Sequence, residues 1–108
     1  MKIIRPEDGA TVYDKNGVTG KNLLSNKNAE VVRIELSPGS SLPVHTTPVD
    51  IFFYIIEGRG EIEVGRDREP VKAGSIVESP RDIPHGLHNT SEAPFKVLVV
   101  KTPRPRRS

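Results

Sequence analysis

The 108-residue chain has no cysteine, which excludes a disulfide framework and any thiolate zinc site. It has no apolar run near the roughly 20 residues that a membrane-spanning helix needs. The opening Met1-Lys2-Ile3-Ile4-Arg5-Pro6 also lacks an apolar core of signal-peptide length. These absences predict a soluble, cytoplasmic protein with no membrane partner. No segment carries a helical stripe of apolar residues. No glycine-rich stretch leads into a helix to cradle phosphate, and there is no nucleophile elbow. A Ser–His–Asp or Cys–His constellation cannot be assembled from the order of residues alone. An excess of one charge sign is missing too. The net charge of +2 comes from 16 basic and 14 acidic residues. The tail Pro103-Arg104-Pro105-Arg106-Arg107-Ser108 holds three of the arginines, leaving 13 basic against 14 acidic residues elsewhere. A basic body would point to nucleic acid as a partner, and this body is not basic. The tail has no interleaved aromatics of the kind that bind single strands.

What the chain does have is punctuation. Nine glycines and ten prolines fall between short apolar runs, in a chain long enough for one domain. Val32, Ile34 and Leu36 alternate with Val31, Arg33 and Glu35, the pattern of a half-buried strand. Ile62 and Val64 alternate with Glu61 and Glu63 in the same way. Ile51 to Ile56 and Phe95 to Val100 are apolar on both faces, which predicts strands buried on both sides. Turn chemistry separates the runs at Pro38-Gly39-Ser40-Ser41, Gly65-Arg66-Asp67-Arg68, Ala73-Gly74, Ser79-Pro80-Arg81-Asp82 and Ser91-Glu92-Ala93-Pro94. Glu57-Gly58-Arg59-Gly60 reads as a further hairpin turn. The reading is all-β, a sandwich or barrel over residues 29–102. Residues 1–28 wrap or pair with it, with a strand at Ala10 to Tyr13 and a loop from Asn22 to Asn28. Residues 103–108 are a basic Pro/Arg tail expected to be disordered or loosely docked.

Only three histidines occur, His45, His85 and His88. Residues 45, 47 and 51 are separated by even steps, so an unbroken strand would place His45, Thr47 and Ile51 on one face. Asp50 would then point outward, unless a bulge near Pro48 shifts the register. His85 shares parity with Leu87 and Asn89, whereas His88 has the opposite parity and reads as a rim or surface residue. If His45 and His85 point inward, the pocket is His45, Thr47, Ile51, His85 and Leu87. Asn89 is expected to tie down a turn through its amide.

The order Gly39, His45 and Gly58, followed by Gly74, Pro80, His85 and Asn89 at fixed offsets, resembles the two motifs of the cupin family over roughly residues 30 to 102. The resemblance implies a single-domain double-stranded β-helix, a jelly-roll β-barrel. It also implies an interior site where metal-binding members hold a divalent ion such as Fe, Mn, Ni or Zn. Of the ligands that such members use, His45 and His85 stand at their positions here, while Thr47 and Ile51 occupy two others. Asp82 stands where the second motif has glycine. Asp50 or water would have to complete a metal site. The family includes isomerases, decarboxylases and dioxygenases, so the fold does not fix the chemistry. The leading expectation is a small-molecule-binding cupin with His45 and His85 in one pocket, with or without a metal and with or without catalysis. The alternative is a non-catalytic or structural module. The resemblance further implies a homodimer formed through sheet faces, to which the outward members of Phe52, Phe53 and Tyr54 would contribute.

Overall fold

A computed structural model describes residues 1–106. After a short 3-10 turn at Pro6–Asp8 the described residues form ten antiparallel strands. They are β1 (Ala10–Lys15), β2 (Val18–Asn26), β3 (Ala29–Leu36), β4 (Ser41–His45), β5 (Asp50–Glu57), β6 (Arg59–Val64), β7 (Asp67–Lys72), β8 (Ile76–Ser79), β9 (His85–His88) and β10 (Phe95–Thr102). One sheet has six strands in the order β1-β2-β3-β10-β5-β8, and the other has four in the order β4-β9-β6-β7. The all-β expectation holds, and the topology is that of a double-stranded β-helix.

Two long ribbons bend from one sheet into the other. In the first, β3 pairs with β10 in the large sheet, and their continuations β4 and β9 pair in the small one. In the second, β5 pairs with β8, and their continuations β6 and β7 pair across the small sheet. Glu57-Gly58-Arg59-Gly60 is therefore the corner of a ribbon and not a hairpin turn, since β5 and β6 lie in different sheets. The hairpin lies at Gly65-Arg66, between β6 and β7. At the corner Gly58 has φ +82°, and a Cβ there would sit 2.3 Å from the Pro94 carbonyl oxygen. Only glycine accepts both conditions.

The other corner is held by a side chain. Asn89 is buried and donates through Nδ2 to the carbonyls of Leu36 (2.9 Å) and Ala93 (2.8 Å). Its Oδ1 accepts from the Ser91 N–H and hydroxyl. All four hydrogen-bonding sites of the amide are thus used, as burial demands. Asp82, which stands where the second motif has glycine, has φ +62°, a left-handed conformation that aspartate tolerates better than most residues.

Alternation carries the core. Val32, Ile34 and Leu36 of β3, Phe53 and Ile55 of β5, and Phe95, Val97 and Val99 of β10 are all buried between the sheets. Each such side chain contributes about 1.5–3 kcal/mol of transfer free energy. The double burial predicted for β5 does not occur in the single chain. Ile51, Phe53 and Ile55 are inside, but Tyr54 remains 39% exposed and Ile56 37% on the outer face, next to Ile76 at 64%. Leu98 and Val100 of β10 lie half-buried on that face. The predicted loop from Asn22 to Asn28 is mostly strand. β2 runs to Asn26 and pairs with β3, with a bulge between Asn22 and Leu24 that breaks the alternation a reader would look for. The N-terminal segment joins the edge of the large sheet through β1 and β2. In the tail, Pro105 is buried, and Arg107 and Ser108 lie outside the described residues.

Candidate functional site

Between the sheets lies a cavity of about 470 Å³. Its walls are mainly apolar, with Val32 and Ile34 from β3, Phe53 from β5, Leu87 from β9 and Val99 from β10. The polar lining consists of Tyr13, Asn22, Glu30, His45, His85 and Lys101.

The two histidines meet because of a bulge. β4 and β9 are in register at Leu42↔Leu87, but the next pair is His45↔His85, so three steps on β4 match two on β9. The extra residue lies at Pro43-Val44, not near Pro48. It turns His45 inward, opposite His85, where simple alternation from Leu42 would have turned it out. Gly86 lies under the bulge, and a Cβ there would come within 3.1 Å of Val44 Cγ2. The His45 and His85 ring centroids are 4.5 Å apart at 80°, and their Nε2 atoms are 3.3 Å apart. Phe53 packs edge-on against His85 at 5.6 Å.

The Pro43 carbonyl defines the proton of His45. His45 Nδ1–H donates to the Pro43 carbonyl at 3.1 Å, which leaves its Nε2 as an acceptor. In one tautomer His85 Nε2–H donates to His45 Nε2 and the Ser79 hydroxyl, 3.1 Å away, donates to His85 Nδ1; in the other, Nδ1–H donates to Ser79. The Thr47 hydroxyl lies 3.4 Å from His85 Nε2. His85 is only 3% exposed, and its pKa is lowered from 6.5 to about 4. Burial of the charged form is the largest cause, followed by repulsion from His45; a backbone hydrogen bond at Ile83 opposes them, and Lys101 adds a further repulsion. His85 is therefore a neutral imidazole at neutral pH.

Of the residues expected in the pocket, His45, His85 and Leu87 line the cavity. Thr47 is buried beside His85 but belongs to the loop between β4 and β5, and Ile51 is packed into the core. The break in the strand after His45 defeats the even-step argument. Asp50 is exposed, and its Oδ1 accepts the Arg81 N–H at 2.9 Å, so its carboxylate caps a turn and does not face the histidines. The donor set does not fit the usual cage for a first-row metal. Among the described residues no group of three or more His, Cys, Asp or Glu is placed to hold an ion, and two imidazoles fall short of the three protein ligands typical of catalytic sites.

Four polar cavity residues, Tyr13, Asn22, Glu30 and Lys101, lie outside the pocket expected from the sequence, and two of them form a pair. Glu30 is 1% exposed, and the Lys101 ammonium lies 3.4 Å from its Oε1. Glu30 continues the inward parity of Val32, Ile34 and Leu36, and Lys101 that of Phe95, Val97 and Val99. That parity was the available signal. His88 lies on the other side of β9. It is half-buried, with Nδ1 2.8 Å from the Ser41 hydroxyl and Nε2 3.0 Å from Glu63. The fold thus assembles a Ser–His–Glu row that the sequence order hid, although none of the three lines the cavity. A second, surface cleft is formed by Lys27, Pro48 and Val49 with Pro103 to Arg106 of the tail.

Comparison with known proteins agrees with this architecture. An uncharacterized protein of Streptomyces coelicolor is 31% identical over 103 residues, covering 95% of this chain and 97% of that protein. An oxalate-binding protein of Thermotoga maritima is 28% identical over 81 residues, 74% of this chain and 67% of that one. The crystal structure of an RmlC-like cupin from Shewanella frigidimarina superposes with a TM-score of 0.81 at 19% identity, covering 92% of this chain and 87% of the other. Among the described residues no helix is long and apolar enough to cross a membrane. The cupin domain family model matches residues 32–101, the span that holds both bent ribbons and both cavity histidines, and the chain belongs to the cupin family.

Proposed function

We propose that this cupin binds a small organic molecule in the barrel cavity, with the polar group of the ligand taken by the His45–His85 pair. The observation that carries the reading is the convergence of the two Nε2 atoms, 3.3 Å apart, on the wall of an otherwise apolar cavity of about 470 Å³. That volume lies in the range of small-molecule sites, and a few convergent polar groups in an apolar pocket are their usual mark. His45 Nε2, left as an acceptor by the Nδ1–H bond to Pro43, can take a proton from a ligand O–H or acidic C–H and return it, with His85 held beside it by Ser79. The oxalate-binding relative is consistent with an oxygen-bearing ligand at this position. The outer face of the six-stranded sheet, with Phe52, Tyr54, Ile76, Leu98 and Val100, pairs two copies of the chain in this reading.

A second reading is favoured by one detail. The Ser79 hydroxyl can also accept from His85 Nδ1–H, which would free both Nε2 lone pairs towards one point. A divalent cation held there would need ligand or water oxygens to complete its shell, and when bound it would supply Lewis acidity.

Thermal-shift screening of phenols, ketones and carboxylic acids against the wild type, His45→Ala and His85→Ala tests the first reading. Stabilising hits should disappear in both variants, and hits that survive in both would refute the assignment. Elemental analysis of untagged protein tests the second, which requires stoichiometric metal that both substitutions remove.

A further inference from the structure

Buried Glu30 and half-buried Lys101 form an ion pair on the cavity wall. The two residues are register partners on β3 and β10 and both line the cavity. Their elements explain the placement, because each lies at the end of a strand whose inward positions are otherwise apolar. Lys101 stands on a row of the large sheet that leads towards the histidines. Through its neighbour Ile51 on β5 it lies across from Ser79 on β8, the partner of His85.

A lysine alone at that point would make the cavity an anion site. With Glu30 at 3.4 Å, an entering carboxylate meets the repulsion of the Glu30 carboxylate beside the attraction of the half-buried Lys101 ammonium. It must also surrender its water to walls that are mostly apolar. A carbonyl or hydroxyl oxygen escapes both penalties. It can still accept a hydrogen bond from Lys101, because an ammonium has three N–H donors and a single contact to Glu30 does not consume them. Its hydrocarbon body matches Val32, Phe53, Leu87 and Val99.

We infer that the cavity selects a neutral, largely apolar molecule bearing a hydroxyl or carbonyl oxygen over an anionic one, with the Glu30–Lys101 pair setting that preference. The inference rests on the small-molecule reading of the same cavity. It runs against simple transfer of a dianionic ligand from the oxalate-binding relative, which is 28% identical.

The test uses two probes with one skeleton, 2-naphthol and 2-naphthoate, titrated calorimetrically into the full-length protein at neutral pH, with oxalate as a third. Wild-type protein should bind 2-naphthol at least about tenfold more tightly than 2-naphthoate, and oxalate more weakly still. Glu30→Gln leaves the Lys101 charge uncompensated and should move the ratio about tenfold or more towards 2-naphthoate. Lys101→Met should weaken 2-naphthol without any gain for 2-naphthoate. Equal or tighter wild-type binding of 2-naphthoate or oxalate, or of neither naphthalene probe, overturns the inference. So does an unchanged ratio in a folded Glu30→Gln protein. If that variant does not fold, the wild-type ratio and Lys101→Met decide. His45→Ala and His85→Ala separate the two claims. If 2-naphthol binding survives in them while the Glu30 dependence holds, the histidine reading fails and the charge inference stands. If they abolish binding but 2-naphthoate is the tighter ligand, the reverse is true.

Discussion

Acid should destabilise this protein through His85, by an amount that the structure sets. In the unfolded chain an exposed histidine takes its proton near pH 6.5, whereas His85 in the barrel takes it only near pH 4. Between those values the unfolded state binds more protons than the folded one, so stability falls as the pH falls. A separation of about 2.5 pH units, at about 1.36 kcal/mol each, amounts to roughly 3 kcal/mol lost between pH 6.5 and 4. That is a large share of the about 5–15 kcal/mol by which a typical domain is stable. The assay is urea unfolding followed by circular dichroism across this range, with EDTA present, for wild type and His85→Asn. Carboxylates titrate in both proteins and cancel in the difference. The variant should show the shallower dependence, by up to about 3 kcal/mol over the window. Parallel curves would refute the argument that burial beside His45 keeps the His85 imidazole neutral.

Asn89→Ala removes four hydrogen bonds at a ribbon corner and leaves the buried Leu36 carbonyl without that donor, so unfolding free energy should fall by about 3 kcal/mol, measured by urea titration. A loss below about 1 kcal/mol would mean that the corner relaxes without the amide. Gly58→Ala must adopt φ +82° and push its Cβ against the Pro94 carbonyl, which should cost at least about 1 kcal/mol from the backbone conformation alone. An unchanged melting temperature would contradict that geometry. Ile76→Glu places a charge on the exposed outer face of the large sheet, so sedimentation velocity should find a dimer for wild type and a monomer for the variant. A monomeric wild type would remove the proposed pairing.

The fold was legible where local chemistry and alternation agreed. β3 reads directly from Val32, Ile34 and Leu36, and the Asn89 clamp could be expected from its place after His85 in a turn-rich segment. Legibility failed where long-range pairing decides the outcome. Glu57 to Gly60 has hairpin composition but serves as a corner, because β5 and β6 find partners in different sheets. The bulge at Pro43-Val44 brings His45 opposite His85, and a count of even steps through Thr47 and Ile51 could not locate it. His45 and His85 line one cavity, and the fixed offsets of the two motifs are the sequence feature that brings them together. Thr47 and Ile51 took their places by extrapolating a strand that ends at His45. Glu30 and Lys101 were overlooked because a charged residue at the end of an apolar strand is ordinarily solvated. Here two such residues face the same cavity and pair with each other.

The central claim is that ligand binds inside the barrel, at His45 and His85. The most direct measurement is the set of imidazole correlations in a nuclear magnetic resonance titration with 2-naphthol, since the chain has only three histidines. His88, held outside the cavity by Ser41 and Glu63, is the internal control. The His45 and His85 signals should move together and saturate while His88 stays in place. Movement of His88 alone, or of none of the three on saturable binding, would contradict the account.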